Sequence, residues 1–157
     1  DGTTNASGPA GSGSVRIPYV IDPKDGSTPR VIGRSQCVHL PGPGLYLLNG
    51  FGKVSGGTLG GNSVRLRWEL RYNGGANSCE DGIFDLTNSH ILATSNVWRR
   101  PGNAAIIEVP IGAWTRNTSL TIKLDTIGSP ATSPTGWFDG ITLEIGNSDT
   151  IFANGFD

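Results

Sequence analysis

The sequence predicts an all-β domain, an antiparallel β-sandwich of the jelly-roll type with eight or nine strands. Residues 64–72 alternate strictly between apolar and charged side chains, which is the period of a strand with one buried and one wet face. Glycine contributes 24 residues and proline 10, and they interrupt short apolar runs throughout the chain. Only 16% of the residues are charged and methionine is absent, so few windows combine good helix formers.

The first half of the chain contains four predicted strands, at residues 14–22, 30–40, 45–54 and 63–73. Pro18 places the first of them at a sheet edge, because proline cannot donate to a central ladder. The third strand is almost continuously apolar, which is typical of a central strand covered on both sides or of a strand with a bulge at Gly50. Clusters of Gly, Pro, Asp and Ser separate the strands and predict turns.

The second half of the chain is less uniform. Residues 83–103 are ambiguous and predict two short strands and a loop. Clear strands follow at residues 104–111, 119–127 and 137–145. No window has the periodicity of a helix, so the second half also favours the sandwich.

The chain divides into an arm, one domain and a tail. Residues 1–13 carry no large apolar side chain and predict a flexible linker or N-terminal arm. Residues 14–146 are the predicted sandwich, and residues 147–157 are the C-terminal tail. Because the chain begins at Asp1 without methionine, we expect a processed product that has lost an export signal or was attached to a larger parent protein.

The charge balance and the hydropathy of the chain argue against two classes of partner. Twelve basic and 13 acidic residues give a net charge of −1, which argues against general nucleic-acid binding. No stretch approaches the roughly 18 apolar residues of a membrane span. We therefore expect neither nucleic acid nor a membrane as the partner.

The two cysteines, Cys37 and Cys79, predict one disulfide bond. Neither belongs to a CxxC pair and no histidine lies at metal-finger spacing, which argues against a zinc site. A disulfide indicates a secreted or cell-surface protein, whereas the alternative is two buried, reduced thiols in the cytosol. A bridge that closes about 40 residues would stabilise the fold by roughly 3–4 kcal/mol.

Two strands resemble those of non-catalytic carbohydrate-binding modules with the galactose-binding-like sandwich. Residues 44–54, GLYLLNGFGKV, match a strand that in this superfamily runs Gly, Tyr and then alternating aliphatics. Residues 137–143, WFDGITL, match its last strand, with Asp139 at the aspartate position. The resemblance spans about residues 14–145 and implies a jelly roll that binds a polysaccharide or glycan without catalysis.

The resemblance also raises a structural calcium ion. Many of these modules hold calcium near an Asn-Gly-Phe-Glu-like opening segment, whereas this chain offers only Asp22 and Asp25 there. If calcium binds, Asp139 and backbone carbonyls near the first strand would supply the oxygen ligands. The alternative for Asp139 is a hydrogen bond at a turn or bulge beside Gly140.

The tail, DTIFANGFD, is similar to the short IFxDGFE-type ends of many exported proteins of Xanthomonas-like bacteria. That resemblance implies the natural C-terminus of an extracellular bacterial protein. The alternative is an ordinary last strand that packs Ile151, Phe152 and Phe156 against the core.

The predicted ligand contacts are aromatic and arginine side chains in loops. Sugar recognition combines aromatic faces with planar hydrogen-bonding groups, and binding residues concentrate in loops held by a rigid scaffold. Trp98 and Arg99 lie in one such segment, and Trp114 and Arg116 lie in another. The alternative for both tryptophans is a lid over the core, while Trp68 is predicted to lie inside it.

Arg65, Arg67 and Arg71 form a second candidate site on one face of the alternating strand. On a concave sheet they would form a cationic groove floor, suited to carboxylated or sulfated glycans because guanidinium groups pair with carboxylates. On a convex sheet they would form a solvated face with Glu69 as an internal counter-charge.

The sequence offers little support for catalysis. There are two histidines and no GxSxG motif. Glu69 and Glu144 are the best carboxylate pair of the kind that glycosidases use. Arg67 and Arg71 should lower the pKa of Glu69, which suits an ion pair better than an acid catalyst.

Three functional hypotheses follow from the sequence. The leading one is a non-catalytic, secreted bacterial carbohydrate-binding domain, either a targeting module or a lectin-like protein. The second is a structural or interaction domain of a cell-surface adhesin or appendage protein. The third is a small glycan-cleaving enzyme.

Overall fold

The computed structural model describes residues 14–21, 29–30, 33–55, 61–73, 79, 82–129, 131–146 and 150–153. These residues form eleven β-strands and no helix, and therefore include no helix that could cross a membrane. The strands are β1 (Val15–Pro18), β2 (Val20–Ile21), β3 (Pro29–Arg30), β4 (Ser35–His39), β5 (Gly44–Val54), β6 (Ser63–Tyr72), β7 (Ile83–Ala93), β8 (Ala105–Val109), β9 (Ser119–Ile127), β10 (Thr135–Ile145) and β11 (Thr150–Ala153).

Two antiparallel sheets pack face to face. One sheet has the order β1-β10-β5-β8, with β11 also paired to β10, and the other has the order β4-β9-β6-β7. The strands β2 and β3 form a separate two-residue ladder. Most neighbours within each sheet are distant in sequence, and the chain crosses repeatedly between the sheets, which is the jelly-roll arrangement. The predicted fold class is confirmed.

The core lies between the sheets and is built by strand alternation. Every second residue of β6 points inward, and Trp68 is only 3% exposed. The prediction that Trp68 lies in the core is confirmed. The largest fully buried side chains come from both sheets: Tyr46, Leu48, Leu66, Leu70, Ile107, Leu120, Ile122, Leu124, Phe138 and Leu143. Burial of these apolar side chains is the main force that holds the two sheets together.

Some predicted elements differ in their extent. The first predicted strand is interrupted at Tyr19, whose N–H donates to the carbonyl of Pro134 instead of joining the ladder. The second begins only at Ser35. Residues 83–93 form one continuous strand rather than two short ones, because β7 pairs with β6 along nearly its whole length. Pro18 does lie at a sheet edge, since in the described part β1 pairs only with β10.

The predicted bulge lies beside Gly50, but the additional residue belongs to β10. Asp139 is opposite Phe51 and Thr142 is opposite Asn49, so two residues of β10 face one residue of β5. Gly140 accommodates the irregularity with a φ of +53°. β5 is central, as predicted, because it pairs with β10 on one side and β8 on the other.

The predicted disulfide is confirmed. Cys37 of β4 and Cys79 are bonded, with their Cα atoms 5.7 Å apart and 42 residues apart in sequence.

The predicted arm and residues 154–157 lie outside the described residues. The backbone of β11 pairs with the C-terminal half of β10, so part of the predicted tail extends the sheet.

Candidate functional site

The two sheets present outward faces of different chemistry. The ion-paired face is the outward side of the sheet β4-β9-β6-β7, and it carries Arg65, Arg67, Glu69, Arg71, Lys123 and Asp125. The aromatic face is the outward side of β1, β10 and β5 together with the β7–β8 connection. It carries Arg16, Asn49, Phe51, Lys53, Trp98, Arg100, Trp137, Thr142 and Glu144.

Asp125 neutralises two arginines of the ion-paired face. Its Oδ2 lies 3.3 Å from Arg65 Nη2 and 3.3 Å from Arg67 Nε. The first contact includes a hydrogen bond from Arg65 Nε, whereas Arg67 Nε is close enough for an ion pair but not aligned for a hydrogen bond. The Asp125 side chain is 1% exposed, so the pairing compensates a carboxylate held away from water.

Glu69 neutralises the remaining cations of this face. It accepts a hydrogen bond from Lys123 Nζ and lies 3.8 Å from Arg71 Nη2. The Lys123 hydrogen bond holds the pKa of Glu69 below its ordinary value of 4.5; Arg67 and Arg71 act in the same direction, and partial burial opposes them. The predicted direction is confirmed, although its largest cause is a lysine on the neighbouring strand.

The ion-paired face also holds a small cavity of about 190 Å³, lined by Gly33, Ser35, Arg67, Lys123 and Asp125. Each of the three arginines in the predicted row thus has a carboxylate partner. Such a network describes a self-neutralised surface better than an open cationic groove. Glycan binding by this row stays a prediction.

The aromatic face is organised around Lys53. Its Nζ lies 5.0 Å from the ring centroid of Trp98 and 5.0 Å from that of Trp137. Strand register explains the arrangement, because Lys53 is directly opposite Trp137 in the β5–β10 ladder. On the other side of β5, Arg99 and Gly52 exchange backbone hydrogen bonds, which holds the segment with Trp98 against the strand.

Next to this stack, Arg100 spans from β5 to β10. Its guanidinium carbon lies 5.5 Å from the centroid of Phe51, and Nη2 donates to Thr142 Oγ1 at 3.4 Å. The Asn49 side chain donates to the carbonyl of Pro101 at 3.2 Å, which ties the β7–β8 connection to the sheet. These groups border a cavity of about 520 Å³, lined by Leu47, Asn49, Arg100, Pro101, Gly102, Ala104, Thr142 and Glu144.

Glycines beneath the aromatic face set its position. Gly52 and Gly136 are the chain neighbours of Lys53 and Trp137, and they occupy positions on the core side of their strands. A Cβ atom on Gly52 would lie 2.7 Å from Val64 Cγ2, and one on Gly136 would lie 2.4 Å from Val64 Cγ1. The sheets are therefore in close contact here, because the inward positions carry no side chain.

The structure separates the predicted loop residues. Trp98 lies on the aromatic face, whereas Arg99 extends from the other side of the same segment and is exposed. Trp114 packs against the core, and its indole Nε1 donates to the carbonyl of Leu40 at 3.2 Å. Arg116 is exposed in the same loop as Trp114.

The loop that holds Trp114 follows β8, which pairs with the start of β5, whereas Trp98 lies beside the end of β5. Nine residues of extended strand separate these positions, about 30 Å at 3.3 Å per residue. Trp98 and Trp114 therefore lie at opposite ends of the sandwich and cannot contact one sugar ring together. Ligand binding by Arg99, Trp114 and Arg116 stays a prediction.

Asp139 is held by the bulge. Its Oδ1 accepts a hydrogen bond from the Gly140 amide at 2.8 Å, as expected from the alternative to a metal role. Among the residues that the structure describes, no three His, Cys, Asp or Glu side chains converge to hold a metal ion. Asp22 and Asp25 lie outside the described residues, so calcium binding by Asp139 stays a prediction.

The predicted carboxylate pair is divided between the sheets. Glu69 lies on the ion-paired face and Glu144 borders the cavity of the aromatic face, with the core between them. They cannot act on one glycosidic bond, which needs two carboxylates about 5–10 Å apart. His90 lies in β7, where burial holds its pKa below 6.5. Glu69 and Glu144 therefore no longer support the hypothesis of a glycan-cleaving enzyme.

Sequence reasoning missed most of the aromatic face. Lys53, Arg100 and Asn49 were not predicted, and Trp137 was identified only as part of the last strand. The sequence does carry a signal for Lys53, because Phe51 and Lys53 alternate with Gly52 and Val54 and so point outward together. Their pairing with β10 depends on register, which the sequence does not give.

Two solved structures are similar to this chain. The carbohydrate-binding module TmCBM61, solved with β-1,4-galactotriose, aligns with 71% of this chain at 18% identity and a TM-score of 0.38, and the chain spans 60% of that module's length. A Bacteroides thetaiotaomicron VPI-5482 protein, provisionally described as sugar-binding, aligns at 9% identity and a TM-score of 0.45 over 90% of this chain and 85% of that one. Scans of protein-family models and of curated proteins find no match.

Proposed function

We propose that the domain binds carbohydrate on its aromatic face and does so without catalysis. The observation that carries the proposal is the pair of half-exposed indoles, Trp98 and Trp137, on either side of Lys53 and beside a cavity. Indole faces offer a large apolar surface, and the carbon-bound hydrogens of a sugar ring pack against such surfaces. Their position over close-packed glycines gives them a rigid support, which lowers the entropic cost of binding.

The neighbouring cavity supplies the polar half of the recognition. Its volume of about 520 Å³ falls in the usual range for small-molecule sites. Arg100 and Thr142 offer donors, and the carboxylate of Glu144 forms no salt bridge in the described part of the chain. Sugar hydroxyl groups both donate and accept, so this mixed lining suits them.

We further propose that the domain works outside the cell and is exported by a bacterium, as a targeting module or a lectin-like protein. Disulfide bonds persist in oxidising compartments, and the Cys37–Cys79 bond fits such a location. Attachment to a larger parent protein would make the domain a targeting module. Mass spectrometry of the native protein from culture supernatant tests both the export and the parent.

Affinity electrophoresis tests sugar binding directly. We expect at least one neutral or acidic polysaccharide in the gel to retard the wild-type chain. Trp98→Ala and Trp137→Ala should each weaken that binding roughly thirtyfold, because buried aromatic anchors contribute about 2 kcal/mol or more. Ile111→Ala, which truncates an exposed side chain just after β8 at the other end of the sandwich, is the control and should leave the binding unchanged. Absence of retardation by every polysaccharide contradicts the proposal.

A second candidate function is a structural or interaction domain. β7 forms an edge of its sheet in the described part and is 11 residues long. It exposes four large apolar side chains, Ile83, Phe84, Leu86 and Ile91. Long apolar edges can pair with another chain. Light scattering tests this function, and a strict monomer at high concentration would count against self-association.

A further inference from the structure

We propose that the aromatic face selects glycans with negatively charged groups, carboxylate or sulfate, over neutral glycans. This inference rests on the proposed function, because it names the class of sugar that the same face takes. The observation behind it is a contrast in charge pairing between the two outward faces of the sandwich.

The cations of the ion-paired face all contact a carboxylate: Arg65, Arg67, Arg71 and Lys123. In the part of the chain that the structure describes, Lys53, Arg16 and Arg100 on the aromatic face form no salt bridge. Three cationic groups thus remain available for an anion on one face. On the other face an external anion would have to compete with Asp125 and Glu69.

Lys53 is the central cation of the site. Its ammonium group contacts the faces of Trp98 and Trp137 but has no carboxylate partner in the described residues. Cation–π contacts at exposed sites contribute only about 0.5–1 kcal/mol, and they leave the three N–H donors of an ammonium group unused. An anionic group on a sugar that stacks on either indole would therefore meet a charged donor at the same position.

Arg100 and Arg16 extend the positive charge across the sheet. Among the described residues, Arg100 makes one weak hydrogen bond, to Thr142 at 3.4 Å, which leaves most of its five donors open to a carboxylate or sulfate. Arg16 is directly opposite Trp137 in the β1–β10 ladder and is exposed. A row of alternating cationic and aromatic side chains, Arg16, Trp137, Lys53 and Trp98, therefore crosses the face.

Glu144 gives the site a direction. It lies opposite Leu47, six residues along β5 from Lys53, which is about 20 Å of extended strand. A carboxylate there repels a charged sugar and accepts hydrogen bonds from a neutral one. The charged residue of the glycan therefore binds at the Lys53 end and an uncharged residue at the Glu144 end.

The test uses matched pairs of polysaccharides that differ in charge. Polygalacturonate and its methyl ester form the carboxylate pair, and dextran sulfate and dextran form the sulfate pair. We expect the whole chain to bind at least one charged member tenfold or more tighter than its neutral counterpart. Raising sodium chloride from about 50 to about 300 mM should remove most of this preference, because exposed charges are screened within about 10 Å at 0.1 M salt. The pair that shows the preference identifies carboxylate or sulfate as the recognised group.

Variants of the cations complete the test. Lys53→Gln and Arg100→Gln should each weaken binding of the charged glycan roughly fivefold more than binding of its neutral counterpart, since charge-assisted hydrogen bonds are lost only with the charged one. Lys123→Gln, which removes the lysine paired with Glu69 on the ion-paired face, is the matched control and should leave both affinities unchanged. Thermal unfolding of each variant verifies its fold.

The outcomes separate the two proposals. Equal affinity for both members of each pair, or equal losses in all three variants, overturns charge selection and leaves sugar binding in place. Failure to bind any member of either pair, together with failure to bind every other polysaccharide tested, overturns sugar binding and charge selection alike.

Discussion

The two outward faces of this sandwich both carry cations, but they use them differently. On the ion-paired face, alternation along β6 and β9 places arginine, lysine and carboxylate side chains within reach of each other, and the charges neutralise one another. On the aromatic face, Lys53 and Arg100 lie against rings instead of carboxylates. The comparison teaches that a conspicuous row of arginines can be neutralised within its own sheet, while a single lysine between two indoles lies on the face that we propose as the binding site.

If the ion-paired face has only a structural role, the disulfide bond of its sheet should affect stability and not glycan binding. Replacing Cys37 and Cys79 together by alanine should lower the free energy of unfolding by about 4 kcal/mol, because the bond closes a loop of 42 residues. For a chain of this size the melting temperature should fall by roughly 8–16 °C. Calorimetry measures the loss. Glycan affinity measured well below the new melting temperature should match that of the wild type. A large loss of affinity would show that the sheet of the ion-paired face also supports glycan binding.

The buried carboxylate of the ion-paired face is expected to have the next largest effect. Asp125→Asn removes the negative charge that Arg65 and Arg67 share, and hydrogen bonds to charged groups contribute about 1.5–3 kcal/mol each. We expect a loss of about 2 kcal/mol in urea unfolding with no change in glycan affinity. Arg116→Gln provides an exposed charge change for comparison. A variant as stable as wild type would show that the network contributes nothing to the fold.

The smallest expected effect is a pH dependence from Glu69. Its folded pKa lies below 4.5, so below that pH the unfolded chain binds the proton more readily than the folded one. Stability from this group is therefore complete above pH 4.5 and is lost as the pH falls through the folded pKa. Urea unfolding of Glu69→Gln should show a shallower acid loss than wild type. Identical slopes would mean that the Lys123 contact is not maintained in solution.

The fold could be predicted from the sequence because its information is local. Alternation in β6 and β9 identified which side chains are buried, and the apolar run of β5 identified a central strand. The length of β7 could not be predicted, since its exposed residues on both faces carry no periodic signal. Only pairing with β6 reveals it as one strand.

The site was less accessible to prediction because it depends on register and connection. The proximity of Lys53 to Trp137 follows from strand pairing between residues 84 positions apart, which a single sequence does not specify. Trp98 was correctly placed in a connection, but its partner Lys53 was not. The arginine row shows the same dependence on strand pairing. Its partner Asp125 lies on β9, and alternation within one strand does not identify which strand lies beside it.

The four tryptophan indoles provide the most direct test of where the glycan binds. Trp68 is buried in the core, Trp114 donates to Leu40, and Trp98 and Trp137 flank Lys53. Each indole N–H gives its own signal in a ¹⁵N–¹H correlation spectrum, and single Trp→Phe variants assign the four signals. On titration with the polysaccharide fragment that binds most tightly, we expect the Trp98 and Trp137 signals to move and the Trp68 and Trp114 signals to stay. Movement of the Trp114 signal while Trp98 and Trp137 stay unchanged would contradict binding on the aromatic face.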